Sequence, residues 1–141
     1  MSARSRDLPR RSCLSIPGSS EKMMGKGPGI PADMVFLDLE DAVAPKEKES
    51  SRAKIATAIR TQDWGDKVMC VRVNDWSTKW TAFDIIEVVA GAGERLDEIM
   101  LPKVETAAQI VATDLLLRQV EIANGLPIGH IGIEAQIETA R

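Results

Sequence analysis

The chain has 141 residues, 44% of them hydrophobic and 28% charged, with a formal net charge of −3. This is enough apolar material for a core, and the acidic balance argues against nucleic acid as a partner, since phosphate binding shows as a clustered basic surface. No apolar run approaches the ~18 residues of a membrane span, no secretory signal is present, and nothing resembles a metal-binding cysteine pair. Cytoplasmic location and no membrane partner are therefore expected. The two cysteines, Cys13 and Cys70, lie in separate apolar runs and read as buried free thiols.

The basic residues Arg4, Arg6, Arg10 and Arg11 crowd into the N-terminal tail. Pro9 and Asp7 spoil an amphipathic helix there, so residues 1–10 read as a flexible, solvated extension. Ser12 to Ile16 then reads as a first strand, ending at Pro17-Gly18. Ser19 or Ser20 caps a short helix, which Gly25, Gly27, Pro28 and Gly29 terminate. Met34 to Leu39 is a second strand, apolar on both faces as central parallel strands are. A helix over Glu47 to Arg60 and a third strand over Val68 to Val73 follow. The pattern of Ala82, Ile85, Ile86 and Val89 predicts a helix from Thr78 to Ala90 with those residues inward, stopped by Gly91 and Gly93. Glu98 to Leu101 is the fourth strand. Glu105 to Ala123 is a helix with Ala108, Val111, Ala112, Leu115 and Ile122 on its inner stripe, and Ile131 to Ile137 is the fifth strand.

Strict alternation of strands and helices implies a parallel sheet with right-handed crossovers. Both a barrel and an open doubly wound sheet satisfy it. The glycines at 25, 27 and 29 end a helix instead of opening one, so they are not a dinucleotide fingerprint. The strand ends decide between the two. Pro17-Gly18-Ser19, Asp38-Leu39-Glu40-Asp41, Arg72-Val73-Asn74, Pro102-Lys103 and Glu138-Thr139 each bring polar groups to the end of an apolar run. An open sheet concentrates its ligand at one switch point, whereas a TIM (β/α)8 barrel builds its site from every such loop. A whole barrel takes about 250 residues, so residues 11–141 read as the first five β/α units of a single barrel domain.

Asp38 and Glu40 point to one side of an extended strand and Asp41 begins the loop. Carboxylates so near an apolar run need a cation. Arg72 closes an otherwise apolar strand, and its planar fork suits carboxylates: Glu40 is one expected partner and a substrate acid the other. Lys103 is expected to act electrostatically or structurally, since nothing in the sequence marks it as a Schiff-base lysine. Glu134 and Glu138 are expected on one face of the fifth strand, with Glu138 at its C-terminal end. A carboxylate facing a cluster of acids points to a hard divalent cation, Mg²⁺ or Mn²⁺, whose further ligands come from elsewhere. His130, the only histidine, precedes the fifth strand and reads as a loop residue.

Five segments in order carry a family resemblance: Arg11-Ser12-Cys13-Leu14-Ser15-Ile16-Pro17-Gly18; Leu37-Asp38-Leu39-Glu40-Asp41-Ala42-Val43-Ala44-Pro45 with Lys48; Val71-Arg72-Val73-Asn74; Met100-Leu101-Pro102-Lys103-Val104-Glu105; and Ile137-Glu138-Thr139-Ala140. Together they resemble the citrate lyase β-subunit and malyl-CoA lyase family. The stretches 63–67 and 92–100 look most like its malyl-CoA/β-methylmalyl-CoA lyase branch. The resemblance implies a TIM-barrel enzyme that cleaves or forms a 3-hydroxyacyl-CoA, giving acetyl- or propionyl-CoA and a 2-oxoacid such as glyoxylate. It implies a metal-binding Glu138, an Arg72 that holds the oxoacid carboxylate, and Glu40 and Asp41 in the catalytic site, with Lys103 and Glu138 also at the substrate. It further implies a homo-oligomer and a second metal-binding aspartate beyond Arg141. A citrate lyase β-subunit acting on an acyl-carrier thioester is the alternative enzyme, and an inactive fragment or interaction module the alternative outside catalysis.

Overall fold

The computed structural model describes residues 7–140. Five parallel strands, β1 (Cys13–Pro17), β2 (Met34–Asp38), β3 (Val68–Arg72), β4 (Glu98–Leu101) and β5 (Gly132–Ala135), form one sheet in sequence order. Helices α1 (Glu21–Lys26), α2 (Lys48–Thr61), α3 (Thr81–Ala92) and α4 (Ala107–Ala123) alternate with them. The strand order never reverses, so the sheet has no switch point and winds as part of a barrel.

Side-chain alternation along the strands separates two layers. Val35, Leu37, Met69, Val71, Ile99 and Leu101 face the helices and join Ile55, Ile59, Ile85, Val89 and Leu117 in the main core. Met34, Val68, Cys70 and Met100 form a smaller cluster on the other face, with Phe36 and Leu8 against it. Full burial of a side chain such as Leu37 or Ile99 stabilises the fold by roughly 1.5–3 kcal/mol. Trp64 seals the lower end of the main core. Its indole N–H donates to the Ala58 carbonyl at 2.9 Å, so its one polar atom is satisfied inside.

Ser20 is the N-cap of α1, its hydroxyl accepting the Met23 N–H. Gly91 does not stop α3; the helix runs through it to Ala92. A Cβ at Gly91 would lie 2.6 Å from the Ala56 Cβ of α2, so glycine permits the close approach of these helices. On α3 the buried residues include Ile85, Val88 and Val89, while Ile86 turns to solvent.

The expected inner stripe of α4 is overturned. Val111, Leu115 and Ile122 are 57%, 60% and 63% exposed, and Thr113, Leu117, Val120 and Glu121 are buried instead. Apolar residues lie on two faces of this helix, and polar anchors choose between them. Glu121 accepts the Gly129 and Ile131 N–H groups, each at 2.8 Å, and the Thr113 hydroxyl accepts the Trp76 indole N–H at 2.9 Å. Those bonds need the polar side chains inside.

Two further expectations change. Cys13 is exposed while Cys70 is buried, and both are free. The segment expected to be solvated is held from Leu8 onward: Leu8 packs on the inner cluster, and Arg10 pairs with the buried Glu98. Arg4 and Arg6 lie outside the described residues.

Candidate functional site

β2 and β3 end side by side, Asp38 in register with Arg72. The Arg72 guanidinium donates through Nε to Asp38 Oδ1 at 2.8 Å and through Nη2 to Oδ2 at 2.7 Å, a two-pronged fork on a fully buried carboxylate. The same oxygens accept the N–H groups of Glu40 (2.9 Å) and Ala42 (2.9 Å), which folds the DLED segment into a tight turn. The Phe36 ring lies 5.1 Å from the guanidinium carbon. The main partner of Arg72 is therefore Asp38 and not Glu40, whose Oε2 is 3.5 Å from Nη1. Strand register explains this: Asp38 is the last residue of β2 and directly abreast of Arg72, while Glu40 lies beyond the strand.

Burial alone raises the Asp38 pKa, but the Arg72 fork and the Glu40 and Ala42 N–H groups outweigh it and hold the carboxyl below its ordinary value. The stability this contributes is full above the unfolded pKa, ~3.9, and is lost as pH falls through the lower folded value. In acid unfolding followed by circular dichroism, the native sequence should lose stability more steeply below about pH 4 than Asp38→Asn. Equal slopes would refute the pairing's role.

Glu40 is buried, and its two oxygens differ. Oε1 accepts from the Lys103 ammonium, while Oε2 accepts no hydrogen bond. The same ammonium lies 3.7 Å from Asp41 and 4.0 Å from Asp75. Its hydrogen bond to Glu40 comes first among the causes that raise the Lys103 pKa, so it stays charged. The Lys48 ammonium, also buried, donates to the Leu39 carbonyl at 2.8 Å and the Glu40 carbonyl at 2.7 Å, with the Trp80 ring 5.3 Å away. Lys48 thus fixes the backbone of the acidic turn from below. Lys48 and Asp75 are the residues this cluster adds to the expected set. The only signal for Lys48 was its place beside the DLED motif.

Glu138 does not share a strand face with Glu134, because β5 ends at Ala135. One Glu138 oxygen accepts the Lys103 backbone N–H at 3.0 Å, and the other has no partner among the described residues. Glu134 lies deeper, on the inner face of the sheet, where its ligand atoms, those of Glu98 and the Cys70 sulfur fall within 4.8 Å of one another. Burial and the two neighbouring carboxylates push the Cys70 thiol well up, so it stays protonated and is a poor metal ligand. Asn74, counted among the strand-end groups, is buried and turned inward, giving its backbone and side-chain N–H groups to Asp84. His130 is a turn residue whose ring nitrogen contacts the Gly93 carbonyl at 2.9 Å.

The carboxyl ends of β2, β3 and β4 and the segment after β5 thus gather five carboxylates (Asp38, Glu40, Asp41, Asp75, Glu138) around Arg72 and Lys103. A concavity of about 420 Å³ lies elsewhere, at the opposite end of the sheet. There Arg60 and Arg95 are already engaged with the Gly91, Gly65 and Lys67 carbonyls, and Glu94 is the only acid among the described residues of its lining. An exposed carboxylate with an unbonded oxygen, on the same strand ends as a guanidinium whose Nη1 has only Glu40 at 3.5 Å, is equipped to hold a hard cation and a small acid.

Residues 11–141 match the HpcH/HpaI aldolase/citrate lyase family. An L-malyl-CoA/beta-methylmalyl-CoA lyase of Cereibacter sphaeroides is 44% identical over 132 residues, which cover 94% of this chain and 41% of that protein. A (3S)-malyl-CoA thioesterase of the same species is 40% identical over 114 residues, 81% of this chain and 39% of that protein. Among solved structures, the protein CitE from Mycobacterium tuberculosis in complex with magnesium and pyruvate is 28% identical, with a TM-score of 0.67 over 94% of this chain and 47% of that one. The chain therefore spans less than half the length of these relatives. The chain belongs to the HpcH/HpaI aldolase/citrate lyase family.

Proposed function

We propose that the full-length protein is a divalent-metal-dependent carbon–carbon lyase. Its substrate is a 3-hydroxyacyl-CoA of the malyl-CoA or β-methylmalyl-CoA type, split reversibly into acetyl- or propionyl-CoA and glyoxylate. The observation that carries this reading is Arg72. Asp38 occupies its Nε–Nη2 edge and fixes the plane of the guanidinium, while Nη1 makes no hydrogen bond among the described residues and has Glu40 Oε2 3.5 Å away. The Nη1–Nη2 edge is left for a second carboxylate, that of the oxoacid.

The donors present suit a hard ion. Glu138 offers a free carboxylate oxygen, and the acids nearby are oxygen donors too, a set that suits Mg²⁺ or Mn²⁺. Bound through Glu138, such an ion would supply Lewis acidity to the oxoacid carbonyl. The magnesium and pyruvate held by the M. tuberculosis relative support this assignment. On this chain, Arg72 orients the oxoacid and Lys103 offsets the charge of Glu40, Asp41 and Asp75. Cleavage removes a proton from the substrate hydroxyl and returns one to the thioester α-carbon. Glu40 and Asp41 are the acids this chain brings to the strand ends for that exchange. We assign the assembled enzyme as a homo-oligomer with no nucleic-acid or membrane partner; no helix among the described residues is long and apolar enough to cross a membrane.

The thioesterase relative favours a second reading, hydrolysis of malyl-CoA to malate and free CoA. Incubating the full-length protein with malyl-CoA, with Mg²⁺ or with a chelator, separates the two. Metal-dependent appearance of acetyl-CoA and trapped glyoxylate supports the lyase; free CoA and malate support the thioesterase; turnover of citryl thioesters alone would move the assignment to a citrate lyase β-subunit. Glu138→Gln should raise the Mg²⁺ concentration for half-maximal activity by about tenfold or more while leaving the fold intact. Unchanged metal dependence would transfer the ligand role to Glu40.

A further inference from the structure

Lys103 is, among the described residues, the only non-glycine residue with φ in the left-handed region, at 51°. A side chain with a Cβ adopts that conformation at a cost, so the surroundings must hold it there. The cause lies in the β4–β5 ladder. The Gln136 N–H donates to the Leu101 carbonyl at 2.9 Å, and the Gln136 carbonyl accepts from the Val104 N–H at 3.2 Å. Pro102 and Lys103 are thus pushed out between two bonds to one residue, and the positive φ returns the chain to β5. That excursion aims the Lys103 N–H at Glu138 Oε1. The side chain meanwhile crosses to Glu40.

We infer that Lys103 is a positioning residue whose left-handed backbone clasps Glu138 and presents its free oxygen to the metal, a role separate from the charge of its ammonium. This rests on the reading of Glu138 as a metal ligand. The two roles of Lys103 are separable by substitution. Glycine enters the left-handed region freely and keeps the N–H, whereas a β-branched residue resists it. Both remove the ammonium.

The test is Mn²⁺ affinity of the full-length protein by titration calorimetry, with Lys103→Gly, Lys103→Val and Glu138→Gln compared with the native sequence. Lys103→Val should bind Mn²⁺ about ten- to a hundredfold more weakly than Lys103→Gly, the usual effect of losing a group that orients a ligand. Lys103→Gly loses the same ammonium but keeps the clasp, so it should bind Mn²⁺ more tightly than Lys103→Val by that same factor. Equal affinities in the glycine and valine variants would overturn the proposal. A second readout does not depend on the valine variant folding or on the metal. In ¹H–¹⁵N spectra of the native protein and of Lys103→Gly, the residue-103 amide should move upfield when Glu138→Gln is added, since a bond to a neutral amide is weaker than one to a carboxylate. An unmoved amide would overturn the clasp. Mn²⁺ affinity indifferent to Glu138→Gln, with the amide still responding, would instead sink the metal assignment alone.

Discussion

Arg72→Lys should lower kcat/KM of the full-length enzyme by about a hundredfold or more, the scale on which a misplaced reactant loses rate. Lysine keeps the positive charge, so a purely coulombic role would survive the change. It cannot bind Asp38 through one edge and an oxoacid carboxylate through the other, because an ammonium is a point charge with no planar fork. Its shorter reach also leaves part of the Asp38 carboxylate, which is fully buried, without its donors. The loss should therefore appear in turnover and in glyoxylate affinity together. Near-native kinetics in that variant would remove Arg72 from the site.

Asp84→Ala should destabilise the protein by about 3–5 kcal/mol, the cost of breaking a buried ion pair by removing one partner. Asp84 Oδ1 accepts Arg52 Nε at 2.8 Å, and Oδ2 accepts the Asn74 backbone N–H at 3.0 Å and its side-chain amide at 2.7 Å. Asp84 is wholly buried and the Arg52 side chain nearly so. Deleting the carboxylate strands a guanidinium whose remaining ion-pair partner among the described residues is Glu87, at 2.9 Å. It also releases the Asn74-Asp75 turn next to Lys103, so activity should fall along with stability. Urea unfolding measures the effect, and a loss below about 1 kcal/mol, typical of an exposed pair, would show that the network is not a stabilising element.

The sheet and the gathering of the candidate site residues were legible because a parallel strand leaves two local marks, a two-sided apolar run and a polar group where it ends. Arg72, Glu40, Asp41 and Lys103 all carried the second mark, and the structure brings all four together. What was not legible depends on contacts between distant segments. Asp38 captures Arg72 because the β2–β3 register sets the two abreast, and composition does not report register. The buried face of α4 is chosen by Glu121 reaching the loop before β5, against the pull of Val111, Leu115 and Ile122. Those three leave an apolar stripe that the described residues do not cover. Glu138 read as a strand residue because Ile131 to Ile137 is nearly all apolar or neutral. The ladder nevertheless ends early, and Lys103, turned left-handed, supplies the hydrogen bond that holds Glu138 beyond it. Cys13 misled in the same way: Leu14 and Ile16 face the helices, while Cys13 lies abreast of Met34 on the other face of the edge strand β1 and is exposed there.

The central claim is that these strand ends hold an oxoacid through Arg72 and a divalent cation through Glu138. A crystal structure of the full-length protein grown with Mg²⁺ and glyoxylate tests it most directly. The account predicts the glyoxylate carboxylate on the Nη1–Nη2 edge of Arg72 at hydrogen-bond distance, ~2.7–3.0 Å, with Asp38 still on the other edge. It places Mg²⁺ on the free oxygen of Glu138 at about 2.1 Å. Glyoxylate bound away from Arg72, or Mg²⁺ bound with Glu138 outside its coordination sphere, would contradict it.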